Sequence, residues 1–124
     1  MTMRLYVDDI RPAPDGWMQA KTVTDAIKTI ARWGNEITQI SLDHDISMAV
    51  SVGGEYRPFP SPETFQAVAY FMLEYYQSRD GQHPIVTIHT ANPVGGEELR
   101  NLLKGEFVIK MEPASRVNRL ESEV

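Results

Sequence analysis

Four carboxylates occur in two short segments where an apolar run ends, Leu5-Tyr6-Val7-Asp8-Asp9 and Ile40-Ser41-Leu42-Asp43-His44-Asp45. Runs of this kind, rich in β-branched and aromatic residues, read as buried parallel strands, so each acid pair falls at a strand's C-terminal end. Open α/β sheets bind their ligands at that edge. Carboxylates gathered there repel one another and shift each other's pKa unless a positive charge lies between them, and a hard divalent cation such as Mg²⁺ is the usual solution. The acids therefore predict a metal.

A third apolar run, Pro84-Ile85-Val86-Thr87-Ile88, leads into His89-Thr90-Ala91-Asn92-Pro93-Val94-Gly95-Gly96 and then Glu97-Glu98-Leu99-Arg100-Asn101-Leu102-Leu103. The last stretch reads as a helix opening at Glu97. Glycines just ahead of a helix N-terminus leave backbone N–H groups available, and with the helix dipole these suit phosphate or another anion. Gly95 and Gly96 are the candidate phosphate cradle, at the same edge as the acids.

The elements that must position these groups alternate between strand and helix. Arg4–Val7 reads as the first strand and Trp17–Lys21 as a short second one, joined by a turn-rich loop. Thr22 is placed to cap a helix over Val23–Trp33, whose Val23, Ala26, Ile27, Ile30 and Ala31 share a face and which Gly34-Asn35 ends. Ile37–Leu42 follows as a strand, then a long connection from His44 to Pro60 that holds Gly53-Gly54. Such a connection is a flap over the site or a disordered segment. Its Tyr56, Arg57 and Phe59 either cover a nucleotide base or anchor the loop. Ser61-Pro62-Glu63 reads as a capped helix start with proline at the first helical position, running to about Ser78. Ile85–Ile88 is the fourth strand, Glu97–Lys104 the last helix and Phe107–Lys110 a fifth strand. Right-handed crossovers then give a five-stranded parallel sheet with helices on both faces. Residues 1–112 form one domain, and 113–124 read as a polar tail.

Composition sets the outer limits. The 124 residues suffice for one core, and 42% hydrophobic content is that of an ordinary globule. There is no apolar run of membrane-spanning length and no signal-peptide core, so the expected setting is cytoplasmic, with no membrane partner. The absence of cysteine excludes disulfides and thiolate metal sites, leaving oxygen ligands and three histidines. A net charge of −5 argues against an extended nucleic-acid surface and leaves a small phosphorylated ligand or nucleotide as the expected partner; nothing indicates a protein partner.

Asp8-Asp9, Asp43 and Thr90-Ala91 resemble the metal-binding acid pair, the phosphoacceptor aspartate and the hydroxyl-alanine pair of two-component receiver domains. Asp8-Asp9-Ile10-Arg11-Pro12-Ala13-Pro14, Leu42-Asp43-His44-Asp45 and His89-Thr90-Ala91-Asn92-Pro93 are closer still to a receiver offshoot, the cyclic-phosphate-processing receiver domains. The resemblance covers roughly residues 4–111. It implies a flavodoxin-like three-layer sandwich with strand order 2-1-3-4-5, a divalent ion (Mg²⁺ or Mn²⁺) on Asp8, Asp9 and Asp43, and activity on a cyclic phosphate. Two departures from ordinary receivers stand out. The first helix is missing, because only eight residues separate Asp9 from Met18. The lysine expected after the fifth strand has only Lys110 as a counterpart.

Together these readings predict metal-assisted phosphoester hydrolysis. His44 and His89 would divide base and acid duties across one phosphate, Arg11 would offset developing charge, Thr90 and Asn92 would complete the catalytic set, and Asp45 would join Gly95 and Gly96 at the substrate. Individually the same residues have plainer readings: the acids as turn residues, Arg11 as a partner of Asp8 or Asp9, and Asn92-Pro93 as an Asx turn. His83, outside any motif, reads as structural. The competing functions are a switch phosphorylated on Asp43 and a binder that holds a cyclic nucleotide without turnover.

Overall fold

The computed structural model describes residues 2–52 and 55–113, with the backbone path alone for 47–52, 55–63 and 113. The order is β1 (Met3–Val7), β2 (Met18–Ala20), α1 (Val23–Trp33), β3 (Ile37–Leu42), β4 (Asp45–Val52), β5 (Glu55–Thr64), α2 (Gln66–Gln77), β6 (Ile85–Thr90), α3 (Pro93–Leu103) and β7 (Ile109–Pro113). Five strands pair in parallel in the order β2-β1-β3-β6-β7, flanked by helices, which is the receiver-like α/β class. Within the sheet this is the arrangement 2-1-3-4-5; β4 and β5 form a separate antiparallel pair.

Strand alternation sorts the sheet into two unlike faces. The rows Leu5–Ile40–Val86 and Val7–Leu42–Ile88 are buried beneath Ala26 and Ile30 of α1, Val68, Ala69 and Met72 of α2, and Leu99 and Leu103 of α3. The opposite row, Tyr6–Ser41–Thr87–Lys110, borders a cavity of about 740 Å³ walled by Pro12, Pro14 and Trp17. Among the described residues the three helices form one layer, α1 against α2 against α3, so the expected helices on both faces reduce to helices on one.

Several expectations about elements change. The long connection after His44 is not structureless: it returns on itself as β4 and β5, with Gly53-Gly54 outside the described residues, as are the side chains of Tyr56, Arg57 and Phe59. Ser61 does not cap a helix, because the strand continues to Thr64 and α2 begins at Gln66. Proline drives its predecessor out of the α region, and Pro58, Pro60 and Pro62 apply that bias to Arg57, Phe59 and Ser61 in turn. The last helix opens at Pro93 rather than Glu97, with Asn92 as its cap. β7 starts at Ile109, Phe107 being a core residue edge-on to Tyr76, and Pro113 belongs to β7 and not to the tail. Residues 114–124 lie outside the described residues.

The first helix is absent as expected, and one side chain takes over its ordering role. Gln19 of β2 donates from Nε2 to the carbonyls of Asp8 (3.1 Å) and Arg11 (2.7 Å) and accepts from the Ala13 amide (3.0 Å). The loop that carries Asp9, Ile10 and Arg11 is thereby clamped against β2. Replacing Gln19 with Ala leaves three partly buried backbone groups unsatisfied, so we expect a stability loss of about 2 kcal/mol. Urea unfolding measures it, and a change below a few tenths would show that the loop holds itself.

Candidate functional site

Asp8 and Asp43 directly follow β1 and β3, which are hydrogen-bonded neighbours, so the chain delivers both carboxylates to one sheet edge. Both are buried; Asp9 is partly so. One ligand oxygen from each of Asp8, Asp9 and Asp43 lies within 4.8 Å of the others. Two ligands of an ion with 2.0–2.1 Å bonds can be at most about 4.2 Å apart, so the three carboxylates fit Mg²⁺ or Mn²⁺ after a small closure.

Arg11 enters the same space. Its Nη1 stands 3.3 Å from Asp8 Oδ2 and 3.7 Å from Asp43 Oδ2. Asp8 Oδ1 also accepts from the amides of Ile10 (2.8 Å) and Arg11 (2.9 Å), and His89 Nε2 lies 3.0 Å from Oδ2. Burial pushes the Asp8 carboxyl up, but hydrogen bonds from His89 and the two amides outweigh it and leave the group below its ordinary value. Asp43 goes the other way. Burial and then the Asp8 charge raise it to about 6, against the opposing pull of the His44 amide, His89 and Arg11.

The two histidines do not face one phosphate. His89 follows Thr87 on the helix-free side, where its ring stacks on Tyr6 (centroids 4.4 Å apart, planes at 9°) and its Nδ1 lies 2.6 Å from Ser41 Oγ. It is buried, with Nε2 on Asp8 and Nδ1 on Ser41, so it holds Asp8 from the helix-free side. His44 lies on the helical side against Gly95 of α3. Its Nδ1 is 2.7 Å from Asp45 Oδ1, and its Nε2 is 3.2 Å from Gln66 Nε2 and 3.5 Å from Glu98 Oε2. An ionised carboxylate only accepts, so Asp45 fixes the proton of neutral His44 on Nδ1 and leaves Nε2 as the basic nitrogen. His44 is buried as well, at 6% exposed, with both nitrogens engaged, so the two imidazoles read from the sequence as one acid–base pair lie on opposite faces of the sheet.

The remaining predicted residues support this arrangement. Asn92 Nδ2 donates to Asp45 Oδ1 (3.2 Å), and its Oδ1 accepts from the Gly95 amide (3.0 Å) as the α3 cap. Thr90 Oγ1 accepts from the Asn92 amide (3.1 Å). Asp45 therefore orients His44, and its negative charge would oppose a phosphate. Gly95 and Gly96 are buried in the first turn of α3 with their amides already donating to Asn92, so they offer no phosphate cradle. A Cβ on Gly95 would come within 2.3 Å of His44 Nδ1, so glycine is there to admit the imidazole. Lys110 is exposed and pairs with Thr87 on the helix-free side, three residues short of the C-terminal end of β6. Gln66 and Glu98 were not foreseen. Gln66 opens α2 and Glu98 lies in the second turn of α3, near the helix ends that meet the sheet edge.

A family model described as the cyclic-phosphate processing receiver domain matches residues 3–105. The chain belongs to that family. No curated protein and no solved structure matches it. Among the described residues no helix is long and apolar enough to cross a membrane.

The raised Asp43 carboxyl makes both metal binding and stability depend on pH. A divalent ion binds the ionised carboxylate, so protons compete: affinity for Mn²⁺ should be flat above about pH 6 and fall about tenfold per unit below it. In the metal-free protein a raised carboxyl favours the protonated folded state, so its contribution is complete below the unfolded value near 3.9 and is lost as pH rises through about 6. Relative to Asp43→Asn, the metal-free wild type should therefore gain melting temperature from pH 7 to pH 5. Parallel profiles for the two proteins would place Asp43 at an ordinary value.

Proposed function

We propose that this member of the cyclic-phosphate processing receiver family is a divalent-metal-dependent phosphoesterase that opens a cyclic phosphate at the C-terminal edge of its sheet. One observation carries the reading: three carboxylates able to share an ion adjoin a guanidinium at Arg11, and His44, next in the chain to Asp43, holds an imidazole oriented by Asp45. Asp8, Asp9 and Asp43 would hold Mg²⁺ or Mn²⁺, which when bound offsets charge on a phosphoryl oxygen and favours an attacking water. Arg11 would bind a nonbridging oxygen, where a planar cation gains as charge develops. His44 Nε2, basic because Asp45 holds the other nitrogen, would take the proton of the attacking water or return one to the leaving oxygen. Opening a cyclic phosphate consumes one water and gives a monoester with a freed hydroxyl, so one such group suffices for both transfers. Gln66 and Glu98, beside Nε2, would border the substrate's entry.

The test is a screen of 2′,3′-cyclic and 3′,5′-cyclic mononucleotides and simple alkyl cyclic phosphates with Mn²⁺, followed by mass spectrometry. The expected product carries one added water. Asp43→Asn and His44→Ala should each lower the rate by about 100-fold or more while the protein stays folded. His89→Ala should act through weaker Mn²⁺ binding and recover with excess metal. Ring opening at the full rate in Asp43→Asn, or its absence for every compound in the metal-loaded wild type, would sink the proposal.

A further inference from the structure

Asp8 is saturated. An ionised carboxylate offers about four lone-pair positions, and four donors fill them: the Ile10 and Arg11 amides on Oδ1, and His89 Nε2 and Arg11 Nη1 on Oδ2. Three of these donors are fixed by the chain. The amides belong to the loop clamped by Gln19, and the His89 ring is pinned between Tyr6 and Ser41. The fourth, at 3.3 Å, is the longest contact and stands at the end of a flexible side chain. The same nitrogen is 3.7 Å from Asp43 Oδ2, so one guanidinium partly neutralises both buried carboxylates.

A divalent ion on Asp8 and Asp43 needs the oxygens that Arg11 holds. We infer that Arg11 and the metal exchange: metal entry releases the guanidinium from Asp8 and Asp43, and the released guanidinium then binds the phosphate. This rests on the reading of Asp8, Asp9 and Asp43 as the ion site. It adds an order, metal before phosphate, because in the metal-free protein the anion-binding cation is committed to the protein's own carboxylates. It also gives Arg11 opposite effects on the two ligands, opposing the metal and recruiting the anion. A side chain that merely completed the site would favour both.

The probes are Mn²⁺ alone, followed by electron paramagnetic resonance, and inorganic phosphate, followed by calorimetry with and without saturating Mn²⁺. Arg11→Gln keeps much of the side-chain bulk and removes the charge; Arg11→Ala is the second variant, and near-ultraviolet circular dichroism reports whether each is folded. We expect Mn²⁺ to bind either variant about tenfold or more tighter than wild type, a typical size for coupling between sites. Metal-free variants should melt below metal-free wild type, and the gap should narrow with Mn²⁺. Wild type should bind phosphate only with Mn²⁺ present, and the variants should bind it weakly in either condition. Equal or weaker Mn²⁺ binding by a folded variant would overturn the exchange while leaving the ion site intact, as would metal-independent phosphate binding by wild type. No Mn²⁺ binding by wild type at millimolar concentration would remove both readings.

Discussion

The repulsion between Asp8 and Asp43 is the constraint around which this sheet edge is organised. Two buried carboxylates on adjacent strands are strongly unfavourable unless donors and positive charge meet them. The protein treats the two unequally. Asp8 receives two amides, an imidazole nitrogen and a guanidinium and is held ionised. Asp43 receives one amide of its own neighbour and a more distant guanidinium contact, and is pushed towards its neutral form. Splitting the pair into one fixed charge and one titratable group lets the metal-free fold exist while leaving a place that an ion can claim.

The support for Asp8 reaches well into the fold. His89 touches Asp8 with one nitrogen and Ser41 with the other, and Tyr6 lies flat beneath it, so three neighbouring strands contribute to holding a single carboxylate. This arrangement faces the helix-free side of the sheet. His44 is held from the helical side by Asp45, Asn92 and the first turns of α2 and α3. The sheet edge thus separates two duties: fixing the carboxylates from one face and presenting an imidazole from the other.

Much of this was legible in the sequence, and the failures share a physical cause. Apolar runs ending in acids identify β1, β3 and the carboxylate cluster because the helix-covered face of each strand must be apolar and its C-terminal end is where polar groups collect. Thr22 as a cap and the loss of the first helix are equally local facts, and both hold. What local pattern did not settle was orientation. β6 runs two residues beyond Ile88, and that extension carries His89 to the face of Tyr6 and Ser41 rather than towards His44. The glycines misled for a similar reason. Gly95 and Gly96 look like an open turn, but Asn92 caps α3 three residues before Gly95, and Gly95 serves a contact with His44, 51 positions earlier in the chain. Only tertiary structure reveals such a contact.

The same geometry bears on why this edge is poorly suited to an ordinary phosphoaspartate switch. Such a switch uses a mobile hydroxyl and a lysine to respond to a phosphoryl group on the aspartate. Here Thr90 Oγ1 is engaged by the Asn92 amide at the start of α3, and Lys110 pairs with Thr87, three residues short of the C-terminal end of β6. The cation beside Asp43 is Arg11, on the β1–β2 loop and shared with Asp8. The charged groups are therefore concentrated between the ends of β1 and β3, where one guanidinium is shared by two carboxylates of neighbouring strands.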